Sequence, residues 1–149
     1  MRRTPALLAC ACAAGALFLP SSAAASGAER EAIETVNDLR RANGVPALGV
    51  SESLNRSAGS YARRMLRLDF FGHGPSIDIA GGFRSAGETL AYHSGWHAQP
   101  GRTVSRWMAS PGHRAVLLSP GFRWVGIGLA RGRLGSSVVT TWVAHVGSR

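Results

Sequence analysis

Leu54, Ala58, Tyr61, Ala62, Met65 and Leu66 recur at the spacing i, i+4, i+7, i+8, i+11 and i+12, the period of one face of an α-helix. Arg56, Arg63, Arg64 and Arg67 fall mostly elsewhere around the same turns. A helix this one-sided is not stable by itself, because its apolar stripe has to be covered by a second layer. No other feature constrains the fold as strongly, since the remaining elements must supply that layer. Ser51 stands where an N-cap belongs, Glu52 lies in the first turn, and the helix runs out at "DFFGHG".

The rest of the chain offers both helices and strands. Glu29 to Asn43 reads as a helix with Ile33, Val36 and Leu39 on one stripe and Gly44 as its stop. Residues 74–87, rich in Gly, Pro and Ser, read as loop. Glu88 to Tyr92 suits a short strand, and "HSGWHAQPG" a second loop. Thr103 to Ala109 is predicted helical, with Val104, Trp107 and Met108 turned inward. The last quarter reads as a β-hairpin: Trp124 to Ala130, a turn at "RGRLG", then Ser136 to Val146. Helices followed by an antiparallel hairpin indicate an α+β domain, not a parallel α/β sheet.

The first residues read as a leader and not as part of the fold. Met1-Arg2-Arg3 is a positive start, Ala6 to Leu19 an apolar run, and Ala23-Ala24-Ala25 a small-residue cleavage site. Residues 1–25 are therefore expected to be a signal peptide and 26–149 one domain, secreted or associated with the cell wall. The apolar run is too short for a transmembrane anchor, and Cys10 follows too little of it for a lipid-attachment box. Both cysteines, Cys10 and Cys12, lie in the leader, so the domain is expected to have neither disulfides nor thiolate chemistry.

All 17 basic residues are arginine, and without Arg2 and Arg3 there remain 15 against 8 acids, a net +7. A secreted cation of this kind is drawn to anionic wall polymers or lipid headgroups. Neither blocks of like charge nor stacked aromatics suggest a nucleic-acid surface. The domain is expected to be a monomer.

At "RWMASPGHRAVLLSP", Ser110-Pro111-Gly112-His113 reads as one helix stopping and another starting. Serine suits the N-cap and proline the first helical position, so the Ser110 hydroxyl is expected to cap. His113 then sits over unpaired N–H groups at the positive end of the dipole, which disfavours its cationic form. A neutral imidazole can serve as a metal ligand or a base. Two further polar residues mark element boundaries: His73, between two glycines past the arginine-rich helix, and Glu88, after Ala86-Gly87.

With these residues the chain resembles the CAP superfamily of cysteine-rich secretory proteins, antigen 5 and pathogenesis-related proteins, and most of all its cysteine-free bacterial members. The matching stretches are "VNDLRRANGVPAL", "LNRSAGSYARRM" running into "FFGHG", "GETLA", "WMASPGHRAVLLSPGFRWVGIG" and the closing strand, in family order. The resemblance implies a three-layer α-β-α sandwich around a small, mostly antiparallel sheet. It also implies a cleft with two histidines, matched by His73 and His113, and two glutamates, of which Glu88 matches one. Two departures stand out: Thr89 replaces the family's asparagine after that glutamate, and Ser110 stands where the second glutamate belongs.

The expected function is therefore a surface or wall protein that binds a lipid, glycan or peptide in the cleft. It requires no cofactor, with Zn²⁺ or another divalent cation as the candidate metal on His73 and His113. The alternative is a metal-dependent hydrolase with Glu88 as catalytic base. His93 and His97 are expected to be loop residues, His145 a strand residue at the sheet edge, and Trp107, Trp124 and Trp142 core.

Overall fold

The computed structural model describes residues 27–79 and 82–149; the leader expected at 1–25 lies outside them. The elements are α1 (Gly27–Ala42), β1 (Gly49–Val50), α2 (Glu52–Arg67), β2 (Ser85–Ser94), α3 (Pro100–Ala109), α4 (Pro111–Leu117), β3 (Trp124–Leu134) and β4 (Ser137–Ser148). The sheet order is β1-β3-β4-β2, with β1 parallel to β3 and the other pairs antiparallel.

Alternation along the strands sorts their side chains onto two faces. Val125, Ile127, Trp142, Ala144 and Val146 join Ala32, Ile33 and Val36 of α1 and Val104 and Trp107 of α3 in one core. Leu90, Ala130 and Val143 point the other way and pack with Ala58, Ala62 and Met65 of α2. Helices thus cover both faces of a mostly antiparallel sheet, an α-β-α sandwich. The α2 stripe is the one read from the sequence, and its second layer is the β3–β4 hairpin.

Two glycines set the closeness of that contact. A Cβ on Gly126 would lie 2.1 Å from the Asn55 nitrogen, and one on Gly128 2.2 Å from the Gly59 nitrogen. No side chain fits between these backbones, so α2 lies directly on β3. On the opposite layer, Arg40 of α1 is fully buried. Its guanidinium donates to the carbonyls of Pro46 at 2.8 Å, Leu117 at 2.6 Å, Ser119 at 3.0 Å and Phe122 at 3.4 Å. Burial and the nearby Arg123 charge lower its pKa.

Several elements differ from the sequence reading. β2 runs to Ser94 and not Tyr92, because its pairing with β4 continues through His93↔Thr140 and Ser94↔Val139. His93 is consequently a buried strand residue, 3% exposed, with Nε2 at 2.8 Å from Thr103 Oγ1. His97 is an exposed loop residue as expected. The hairpin turn is shorter than "RGRLG": the strands pair as far as Leu134↔Ser137, and Gly135 turns at φ +58°. Trp107 and Trp142 are core, whereas Trp124 is half-buried beneath the Arg149 guanidinium.

Candidate functional site

His73 comes from the turn that follows α2. That turn is pinned by α2 itself, since the Tyr61 hydroxyl donates to the Gly72 carbonyl at 2.8 Å. Glu88 comes from β2, and Gly87 before it lets α4 approach: a Cβ there would meet Val116 Cγ1 at 2.8 Å. His113, in the first turn of α4, is thereby brought over the same strand. The ring centroids of His73 and His113 lie 6.2 Å apart. Three residues separated in sequence therefore meet at one edge of the sheet, next to Ser110.

Glu88 is the hub. Its side chain is 5% exposed; Oε1 lies 2.7 Å from His73 Nδ1 and Oε2 2.9 Å from His145 Nε2. Burial would raise its pKa, but the hydrogen bonds from His145 and His73 and the charge of those rings outweigh this and hold it below the usual value. An ionised carboxylate only accepts, so both histidines donate to it. A neutral His73 with its proton on Nδ1 then presents Nε2 as a lone pair. On its other side the His145 ring places Nδ1 2.7 Å from the Ser57 hydroxyl, whose oxygen also lies 3.1 Å from Leu54 O.

His145 and Ser57 were missed as site residues, and the expectation of a sheet-edge histidine is corrected. β4 lies between β3 and β2, so His145 is interior and 1% exposed. A signal was present: one histidine in the apolar run "VVTTWVAHVG" has to find partners once buried.

The capping role of Ser110 is also corrected. It ends α3 and begins α4 in an extended conformation, φ −92° and ψ 117°, and its hydroxyl makes no capping hydrogen bond. Its backbone serves both helices instead, the amide donating to Trp107 O at 3.2 Å and the carbonyl accepting from Arg114 N at 2.9 Å. The pKa of His113 is lowered, first by burial and then by the His73 ring. The neutral form is favoured as expected, with burial as the main cause.

Two hollows flank this cluster. One of about 190 Å³ is bordered by Phe71, Leu90, Tyr92, Trp107, Ser110 and His113. Phe71 and Tyr92 meet there edge to face with centroids 4.8 Å apart. Trp107 keeps a buried indole N–H without a partner among the described residues. The other, about 500 Å³, lies along α2 and includes Ser57, Glu88 and His145 in its wall.

An uncharacterized protein of Bacillus subtilis, YkwD, is 31% identical over 118 residues, 73% of this chain and 44% of that protein. This chain thus spans less than half the length of that relative. An extracellular SCP-domain protein from Bacillus anthracis superposes with a TM-score of 0.69 at 21% identity, covering 83% of this chain and 41% of the other. The crystal structure of NaASP2 with Zn²⁺ superposes with a TM-score of 0.67 at 12% identity, covering 86% and 83%. The model of the cysteine-rich secretory protein family matches residues 33–146, and the chain belongs to this CAP family.

Proposed function

We propose that this chain is an extracellular binding protein of the bacterial surface or wall. In this reading its His73–Glu88–His113 cleft holds a small ligand, a lipid, glycan or peptide group, and binds a divalent ion weakly between the two histidines. The observation that carries the reading is the facing pair of rings, 6.2 Å apart, with one of them oriented by a buried carboxylate. Two imidazoles on one tetrahedral ion, with metal–nitrogen distances of about 2.0–2.1 Å, would have ring centres about 5 Å apart. A small rotamer change covers the difference. Glu88 supports His73 in the manner of a carboxylate behind a metal-binding histidine. Among the described residues no group of three or more His, Cys, Asp or Glu side chains is placed to hold an ion. Two histidines therefore imply weak binding with open positions, and an ion there would supply Lewis-acid attraction for an oxygen of the ligand. The Zn²⁺ in the NaASP2 crystal is in keeping with this.

A hydrolase is the weaker reading. Both Glu88 oxygens already accept from histidines and the side chain is 5% exposed, which leaves it a poor general base. The aromatic hollow beside His113 favours binding instead. Export is supported by the leader pattern at the start of the sequence and by the extracellular SCP-domain protein of Bacillus anthracis. No helix among the described residues is long and apolar enough to cross a membrane.

Titration calorimetry with Zn²⁺ tests the reading. About one ion per chain should bind, more tightly at pH 7.5 than at pH 5.5, because protons compete for the imidazoles. His73→Ala and His113→Ala should each abolish binding, and His97→Ala should leave it intact. Loss in the His97 variant would move the ion elsewhere, and no binding at millimolar zinc would end the metal part of the proposal.

A further inference from the structure

The hollow along α2 has an unusual wall. Arg56, Arg63, Arg64 and Arg67 all line it, with serines between them. Among the described residues, the ion pairs within 4.0 Å are Arg41–Asp38 and the two histidines on Glu88, and none involves these four arginines. Arg63 donates to Ser60 Oγ at 3.2 Å, a neutral partner. The carboxylates in the wall are Asp78 and Glu88, and Glu88 has both oxygens occupied by histidines. Four cations thus share one concavity of about 500 Å³ with a single free carboxylate. All four are exposed, so solvent screens their mutual repulsion, and together they give the concavity a positive potential that a polyanion can use.

From this we infer that the α2 groove is a binding site for a phosphodiester polymer without bases, a polyol-phosphate chain. A guanidinium matches a phosphate with two parallel N–H donors, and the intervening serine hydroxyls can serve the remaining oxygens. Arg56, Arg63 and Arg67 fall on one stripe, displaced along the helix by about 10 Å and then about 6 Å at 1.5 Å per residue. A row of charges suits a repeating polyanion better than one isolated anion. The concave shape takes a single extended chain and does not suit a flat bilayer. Single-stranded nucleic acid would need stacking platforms, and among the described residues the rings in the wall are Tyr61, tied by its hydroxyl to Gly72, and His145, which is 1% exposed.

This site does not depend on the metal reading, and the experiment keeps the two apart. The purified protein is titrated with poly(glycerol phosphate) in EDTA at 50 to 300 mM salt. Micromolar binding is expected at low salt, with log K falling against log salt by about 0.7 per phosphate contacted, or about 2–3 in all. Arg56→Gln, Arg63→Gln and Arg67→Gln should each weaken binding about 3- to 10-fold and flatten the slope by about 0.7. The corresponding lysine variants should recover most of the affinity, which separates charge from folding. Arg30→Gln and Arg102→Gln, on helices of the opposite layer, should change it less than 2-fold, and His113→Ala, which removes a proposed metal ligand that does not line the groove, should not change it. Equal losses at Arg30 and Arg102 would mean diffuse attraction and overturn the site. So would equal affinity for oligo-dT, binding only to phosphatidylglycerol vesicles, or no binding at 50 mM salt.

Discussion

Ser57 on α2 and His145 on β4, 88 residues apart in sequence, are joined by a hydrogen bond of 2.7 Å. The bond ties one outer layer of the sandwich to the middle of the sheet. Through His145 it continues to Glu88 on β2 and from there to His73 at the surface. The helix can come this close because Gly126, in register with His145 on the neighbouring strand, has no side chain. A backbone contact thus sets the position of a hydroxyl, and the hydroxyl ends a chain of polar groups that runs from α2 through the sheet to the surface.

Gly126→Ala should therefore be among the most damaging small substitutions in the protein. Its Cβ would sit 2.1 Å from both the Asn55 nitrogen and the Leu54 carbonyl carbon, and backbone gives way less readily than a side chain. Overpacking usually costs about 1–3 kcal/mol; here a value at or above the top of that range is expected by urea denaturation. A variant within 0.5 kcal/mol of the parent would show that α2 can lift off the sheet freely.

Acid should destabilise the protein in two stages. His113 and His93 both have folded-state pKa values below the usual 6.5: burial disfavours their cations, reinforced by His73 for His113 and by Arg106 and Arg102 for His93. The unfolded chain binds those protons more readily, so stability begins to fall as the pH drops below about 6.5. Glu88 adds a second stage. Its folded-state pKa lies below the usual 4.5, so its contribution is complete at neutral pH and is lost as pH falls through that depressed value. Melting temperatures from pH 8 to pH 3 should show both stages, with Glu88→Gln flattening the lower one. At neutral pH that variant should lose about 1–3 kcal/mol, since an amide cannot accept from both histidines at its two ends. A flat profile between pH 7 and pH 5 would contradict the first stage.

The α+β class was legible in the sequence because its main signals are periodic, while the three-layer arrangement came with the resemblance. The α2 stripe needs no tertiary knowledge, and the closing hairpin follows from composition. The clustered residues His73, Glu88 and His113 were legible mainly through resemblance, since each is an ordinary polar residue at a boundary. Ser57 and His145 were not legible. The pairing of β2 with β4 crosses 57 residues at Glu88 and His145, and no turn fixes its register. His93 was hidden by Gly95 and Pro100, which mark a loop that starts one residue after the strand ends. Ser110 misled because a cap residue shared by two helices can satisfy both with its backbone.

Ser110→Ala should consequently be nearly silent in stability. Losing a working serine cap costs about 0.5–2 kcal/mol, but this hydroxyl caps nothing and borders the hollow beside His113. A change within 0.5 kcal/mol is expected in chemical denaturation. A larger loss would restore the capping role that the sequence suggested.

Arg40 should be the reverse, a single surface-type residue on which one corner of the fold depends. Its guanidinium is fully buried and donates to four carbonyls, from the loop after α1, the end of α4 and the approach to β3. Among the described residues no carboxylate lies within ion-pair distance of it, so the carbonyl dipoles alone balance the charge. Arg40→Met keeps the apolar stem and removes every donor, leaving carbonyls unpaired at about 1–3 kcal/mol for each that stays dry. A total loss of about 3 kcal/mol or more is expected. Arg40→Lys keeps the charge but not the planar fork, and one ammonium cannot reach acceptors spread over three segments. It should still lose about 2 kcal/mol. Because Leu117 and Ser119 follow His113 on the same short helix and its exit, amide exchange should quicken there in both variants. Exchange in α2, on the opposite layer, should change much less. A lysine variant as stable as the parent, with unchanged exchange at Leu117, would show that charge and not the donor geometry holds this corner.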